Sequence, residues 1–142
     1  MNKTRGLWRG KTTPKRNGYA FNNIWVSGDL IRSEGLCYIH PLANSIKVNG
    51  EIGKLVVMHE VDPSTLGACT GLRDKNGKLI FEGDVVKHKA DVFEIKYSDE
   101  QARFLAVLAN GVFNPVAIKN CEVIGNIYDN PELLKDTGEE KG

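Results

Sequence analysis

The sequence predicts a mainly β protein with little helix. Short apolar, β-branched segments recur along the chain, and turn-forming pairs such as Asn49-Gly50 and Asn76-Gly77 separate them. The closely spaced strand candidates between residues 72 and 128 favour a small barrel in the C-terminal half, SH3-like or OB-like, of which we take the SH3-like barrel as the prediction. The strands between residues 24 and 60 would form a second small β sheet or barrel.

The N-terminal half contains several candidate strands. Residues 24–31 are apolar and β-branched, and Gly28 interrupts them, which is typical of a strand with a bend or bulge. The other candidates in this half are residues 36–40, 45–48 and 55–58.

The C-terminal half also consists mainly of candidate strands. Asn76-Gly77 tolerates positive φ, so the chain should reverse between the apolar ends of residues 72–81. Further strand candidates follow at residues 85–88, 92–97, 103–108, 116–118 and 121–128. Residues 130–134 can form one helical turn.

Charge and composition divide the chain into four predicted segments. Residues 1–21 carry six basic residues and no acid, whereas the remainder carries 13 basic and 18 acidic residues. We therefore predict a basic N-terminal arm over 1–21, folded as a loop or short hairpin. A β region over 22–60, the C-terminal β barrel over 61–134 and a disordered tail over 135–142 follow.

Cysteine content and hydropathy indicate where the protein works. Three widely spaced cysteines, Cys37, Cys69 and Cys121, make a poor disulfide framework and favour a reducing compartment. The N-terminus has no apolar run typical of a signal peptide, and no segment has the length of a membrane span. We expect a cytoplasmic protein that does not bind membranes.

The basic arm has two interpretations. It can contact nucleic acid, because cations follow the phosphate backbone while bases stack on aromatic rings. It can instead fold against the acidic body of its own chain or of a neighbouring subunit, and the acidity of the body favours this second interpretation. Under the first interpretation the candidate binding residues are Arg5, Trp8, Arg9, Lys11, Lys15 and Arg16.

The densest group of glycines and acids lies between residues 70 and 86. Its glycines suit turns and its acids suit hydrogen bonds to turn amides, so we interpret the group as structural. The residues concerned are Thr70, Gly71, Asp74, Asn76, Gly77, Glu82, Gly83 and Asp84. The alternative is a metal site formed by Asp74, Glu82 and Asp84, since hard cations prefer several converging oxygens.

The same residues carry a family resemblance. Residues 69–86 read CTGLRDKNGKLIFEGDVV, which resembles the signature of the YopX proteins of phages and prophages. Residues 22–31, 61–67 and 122–134 are similar to the family's early strand, its lead-in to the signature and its C-terminal ending. Residues 1–21 fit the family less well, so the resemblance does not interpret the basic arm.

The resemblance implies a phage-derived, largely β protein of a bacterial host cell, oligomeric and with a barrel-like C-terminal part. It implies no established activity. The sequence contains no nucleophile elbow, phosphate loop, dinucleotide fingerprint or Cys-x-x-Cys pair. We therefore expect a non-enzymatic homo-oligomeric structural or interaction module without cofactor or metal. The alternative is a nucleic-acid-binding accessory protein that uses the basic arm.

Overall fold

The computed structural model describes residues 6–13, 23–41, 45–48, 51–54, 58–111, 113–114 and 117–134. Of residues 45–48, 51–54 and 113–114 it describes the backbone only. The chain divides into two compact units, an N-terminal unit over Gly6–Ala68 and a C-terminal unit that begins at Cys69. Strand is the dominant structure in both, which confirms the prediction of a mainly β protein.

The N-terminal unit is built on an antiparallel sheet with the strand order β6-β3-β2-β1. Its strands are β1 (Trp8–Lys11), β2 (Trp25–Ser33), β3 (Leu36–Pro41) and β6 (His59–Val61), and the pair β4 (Ser45–Val48) and β5 (Glu51–Lys54) forms a separate ribbon. Strand β7 (Gly67–Arg73) begins in this unit, where Gly67 and Ala68 pair with β1.

Strand β1 corrects the prediction for residues 8–11 of the basic arm. A loop or short hairpin was expected over residues 1–21, but Trp8–Lys11 pair along their whole length with β2. The other edge of β1 pairs with β7 at Trp8 and Arg9, and a bridge joins Thr12 to Val61 of β6. Backbone pairing on both sides makes this short segment a strand, although its sequence lacks an apolar alternation.

The core of the N-terminal unit lies on one face of these strands. Cys37, Ile39 and Val61 are buried there, and Trp8, Val26, Leu30 and Leu66 pack against them. Gly28 allows β2 and β3 to approach, because a Cβ at this position would lie 1.9 Å from the carbonyl oxygen of His40. The predicted irregularity at Gly28 is therefore a close backbone contact.

The C-terminal unit contains a five-stranded antiparallel sheet with the order β12-β11-β10-β9-β13. Its strands are β9 (Asp84–His88), β10 (Asp91–Ser98), β11 (Arg103–Leu108), β12 (Phe113–Asn114) and β13 (Glu122–Asn126), and the end of β7 pairs with β8 (Leu79–Phe81). Among the residues that the structure describes, β12 and β13 remain edges, so the predicted SH3-like barrel is not confirmed.

Strands β10 and β11 build the core of this unit. Phe93 and Ile95 lie opposite Leu108 and Ala106 and are almost completely buried. Ile80, Val86 and Cys121 complete the buried cluster, and Phe104, Leu108, Ile118 and Val123 pack around it.

The predictions of a helical turn at residues 130–134 and of a strand at residues 116–118 have different outcomes. Residues 131–134 form the expected helical turn, in which the amide of Leu134 donates to the carbonyl of Pro131 at 3.3 Å. The strand expected over residues 116–118 is wrong at Ile118, which begins a 3-10 helix ending at Asn120. The predicted strand 55–58 lies mostly outside the described residues, as do the Asn49-Gly50 turn and the tail over 135–142.

Candidate functional site

Asp74 organises the turn between β7 and β8. Its Oδ1 accepts hydrogen bonds from the amides of Asn76 and Lys78, both at 2.8 Å. Its own amide donates to the carbonyl of Lys78 at 2.7 Å. Gly77 has φ +88°, as the predicted Asn76-Gly77 turn requires. The chain reversal expected from the sequence is confirmed.

The second carboxylate oxygen of Asp74 reaches the last strand of the sheet. Oδ2 accepts a hydrogen bond from the amide of Val123 at 3.0 Å. Burial of the side chain raises the pKa of Asp74, but hydrogen bonds from the backbone of Val123, Lys78 and Asn76 together lower it below its usual value. The ionised carboxylate therefore holds the turn and β13 together.

Asp84 closes the second turn of the signature. The side chain is 1% exposed, and its Oδ2 accepts a hydrogen bond from the amide of Phe81 at 2.8 Å. Gly83 has φ +92°. Its amide donates to the carbonyl of Ile95 at 2.8 Å, and its carbonyl accepts from the amide of Ile127 at 2.9 Å. The tight entry into β9 thus depends on a glycine followed by an aspartate.

Thr70 and Gly71 form the irregular part of β7. The Thr70 hydroxyl donates to the carbonyl of Ile80 at 2.8 Å and accepts from the amide of Leu72 at 3.1 Å. Gly71 has φ +82°, and the pairing of β7 with β8 shifts register between Cys69 and Arg73. The threonine hydroxyl replaces the backbone bonds that this bulge interrupts.

The structure does not support the alternative of a metal site in the signature. Asp74 and Asp84 each bind different backbone amides, and Glu82 is half-buried. In the described part of the chain, no three His, Cys, Asp or Glu side chains converge in the manner of metal ligands. The structural interpretation of the signature therefore accounts for both aspartates.

The predicted nucleic-acid-binding residues fall into three groups. Arg5, Lys15 and Arg16 lie outside the described residues. Trp8 is half-buried and packs against the core cluster of the N-terminal unit. Strand alternation places Arg9 and Lys11 on the opposite face of β1.

On that face Arg9 and Lys11 flank Trp25. The guanidinium carbon of Arg9 lies 4.8 Å from the centre of the Trp25 ring, and Nζ of Lys11 lies 5.5 Å from it. Lys11 and Trp25 are direct cross-strand partners. We call these three residues the cation–aromatic cluster. Sequence reasoning missed Trp25, because the pairing of β1 with β2 was not predicted.

A cleft of about 370 Å³ in the C-terminal unit also escaped sequence reasoning. Its lining consists of Glu94, Lys96, Leu108, Ala109, Asn110, Gly111 and Leu134. Burial raises the pKa of Glu94, while Lys96, at 4.0 Å, lowers it and Glu82 raises it further. Glu94 and Lys96 are two residues apart on β10, so they lie on the same face of the strand. Charged residues at such positions usually face solvent, so the sequence does not indicate that Glu94 lines a cleft.

No helix in the described residues is both long enough and apolar enough to cross a membrane.

Taken together, the fold and the signature define a two-unit antiparallel β protein whose most distinctive turns are held by aspartate and glycine. A family model described as "YopX protein" matches residues 20–135. The chain belongs to the YopX family, as the resemblance in residues 69–86 predicted.

A solved structure supports the fold. The chain is similar to protein EF1440 from Enterococcus faecalis, with a TM-score of 0.54 and 20% sequence identity. The match covers 91% of this chain and 96% of that protein. At this identity the likeness concerns the fold alone. Comparison with curated proteins gave no match.

Proposed function

We propose that this YopX protein is a non-enzymatic, oligomeric structural or interaction module, encoded by a phage or prophage and acting in the bacterial cytoplasm. The observation that carries the proposal is that the aspartates of residues 69–86 bind backbone amides of their own chain. Asp74 and Asp84 accept hydrogen bonds from backbone amides, so the residues that distinguish the family build turns. The three cysteines are free thiols, which suits a reducing compartment.

The N-terminal unit offers a surface for self-association. Ile31 of β2 and Tyr38 of β3 are cross-strand partners on the face opposite the core, and Ile31 is 39% exposed. Neighbouring apolar side chains of this kind contribute more to an interface than isolated ones. We propose that a second copy of this chain binds the surface formed by Ile31 and Tyr38.

Sedimentation velocity at micromolar concentration tests the proposal. We expect a mass greater than that of one chain, reduced by Ile31→Asp. Ile24→Asp is the matched control, because Ile24 is 44% exposed and lies before the start of β2. A strictly monomeric wild-type protein contradicts the proposal, and equal effects of the two variants contradict the surface.

The cation–aromatic cluster supports a second candidate, an accessory protein that binds nucleic acid. Arg9 and Lys11 place two positive charges beside an aromatic ring on one face of a sheet, a combination that suits single-stranded nucleic acid. Deleting residues 1–21 would remove β1 from the sheet, so point variants give the cleaner test.

Labelled single- and double-stranded DNA can be titrated with the Arg9→Gln/Lys11→Gln variant at low and moderate salt. We expect weaker binding than wild type and a shallower salt dependence. Lys87→Gln/Lys119→Gln removes the same charge from two exposed positions of the C-terminal unit and serves as the control. Absence of wild-type binding at low salt contradicts this candidate.

A further inference from the structure

Strand β13 is an edge of the C-terminal sheet, because among the described strands β9 alone pairs with it. Edge strands expose a row of amide and carbonyl groups to which another chain can add a strand. The sequence of β13, Glu122–Asn126, contains Val123 and Ile124 and no proline, so composition alone does not prevent such pairing. The contacts along its outer side are therefore informative.

The turn that follows β7 covers the first half of this edge. The amide of Val123 donates to Oδ2 of Asp74 at 3.0 Å, and the carbonyl of Cys121 accepts from the amide of Lys75 at 3.1 Å. Lys75 and Glu122 also form an ion pair at 3.8 Å, which is exposed and contributes little. One outward donor and one outward acceptor are thus bound within the chain.

Asn130 covers the second half of the outer edge of β13. Its Oδ1 accepts from the amide of Asn126 at 3.3 Å, and its own amide donates to the carbonyl of Asn126 at 2.8 Å. The pairing with β9 shifts register between Val123 and Gly125, which turns Asn126 outward. Gly125 permits the approach, because a Cβ there would lie 2.5 Å from Oδ1 of Asn130.

Two separate segments therefore bind the outward groups of one strand, and each supplies a side-chain oxygen for an amide. We propose that Asp74 and Asn130 cap β13 and prevent a second copy of this chain from adding a strand to that edge. Any self-association of the wild-type protein then uses another surface. The inference concerns this edge alone and holds for a wild-type monomer as well as for an oligomer.

The variants Asp74→Asn and Asn130→Ala test the caps. Asparagine at position 74 keeps one oxygen for the amides of Asn76 and Lys78 and turns an NH₂ group toward the amide of Val123. Alanine at position 130 removes the acceptor for Asn126. Asp91→Asn, at an exposed position of β10, controls for the change in charge. Ile80→Val, in the buried core, controls for a modest loss of stability.

Amide hydrogen exchange of Val123 and Asn126 gives the first measurement. We expect both amides to be protected in the wild-type protein, and exchange at Val123 to rise about tenfold or more in dilute Asp74→Asn. Sedimentation velocity gives the second. The Asp74→Asn/Asn130→Ala protein should have a larger average mass than wild type at equal concentration, while both control variants keep the wild-type value.

Two results overturn the inference. The first is faster exchange at Val123 and Asn126 without any increase in mass, because uncovering the edge would then not permit strand addition. The second is unchanged exchange at Val123 in Asp74→Asn.

If the double variant does not fold, a peptide copying residues 122–128 is added to the wild-type protein. Chemical-shift changes at the amides of β13 then contradict the caps, and their absence supports them.

Discussion

The amide of Val123 donates a 3.0 Å hydrogen bond to Oδ2 of Asp74, although 49 residues separate the two along the chain. The other oxygen of the same carboxylate accepts from Asn76 and Lys78 within its own turn. One buried side chain therefore closes a local turn and attaches it to the last strand of the sheet. These contacts give Asp74 a structural role in the signature.

The stability of the protein should depend on Asp74 and on pH. Asp74→Ala should lower the free energy of unfolding by about 3 kcal/mol near pH 7, because it removes charge-assisted hydrogen bonds to several amides. Urea unfolding followed by circular dichroism measures the loss. A loss below about 0.5 kcal/mol, the usual range of a surface substitution, contradicts the structural role.

The pH dependence has a definite sign. The pKa of Asp74 is lower in the folded protein than in the unfolded chain, so the ionised carboxylate stabilises the fold above the unfolded pKa. This contribution disappears as pH falls through the folded pKa. The stability difference between wild type and Asp74→Asn should therefore be largest at neutral pH and shrink below about pH 4. Urea titrations at pH 7 and pH 3 test this expectation.

Gly28→Ala should prevent the close approach of β2 and β3. Because the new methyl group would meet the carbonyl oxygen of His40, we expect a loss above about 4 kcal/mol or an unfolded protein. Gly35→Ala is the control, since Gly35 has φ +80° but nothing within 4 Å of an added Cβ. Its cost should be about 1–2 kcal/mol. Thermal unfolding of both variants distinguishes a steric contact from a backbone preference.

The two tryptophans should respond differently to truncation. Trp8→Ala removes a side chain that packs on the core of the N-terminal unit and should cost about 3 kcal/mol or more. Trp25→Ala removes contacts with Arg9 and Lys11, worth about 0.5–2 kcal/mol each for these half-buried side chains. Denaturant unfolding compares them, and a larger loss for Trp25→Ala would reverse our assignment of the two faces of β1.

The cysteines should react slowly in the native protein. Cys37 and Cys69 are 7% exposed and Cys121 is fully buried, and burial raises the pKa of the Cys121 thiol. Since the thiolate is the reactive form, Cys121 should be alkylated last. Mass spectrometry after timed alkylation, with and without urea, provides the measurement. Rapid modification of Cys121 without denaturant contradicts the packing of this core.

Local patterns and turn residues predicted two strands of the C-terminal sheet. The alternation of Val92 to Tyr97 corresponds to β10, and the apolar run Arg103 to Leu108, which its flanking turns favour as a strand, corresponds to β11. Strand β1 was not predictable in this way. Its sequence, WRGK, carries one apolar side chain, and pairing with β2, β7 and residues near Val61 makes it a strand.

The sequence by itself determined the turns and the family. Asn76, Gly77, Gly83 and Asp84 act over a few residues, where φ preferences and short-range hydrogen bonds are properties of the residues themselves. Tertiary structure alone decided that Asp74 also binds Val123, that Trp8 enters a core and that Trp25 contacts Arg9. These contacts depend on which distant strands pair and in which register, and a short stretch of sequence does not contain that information.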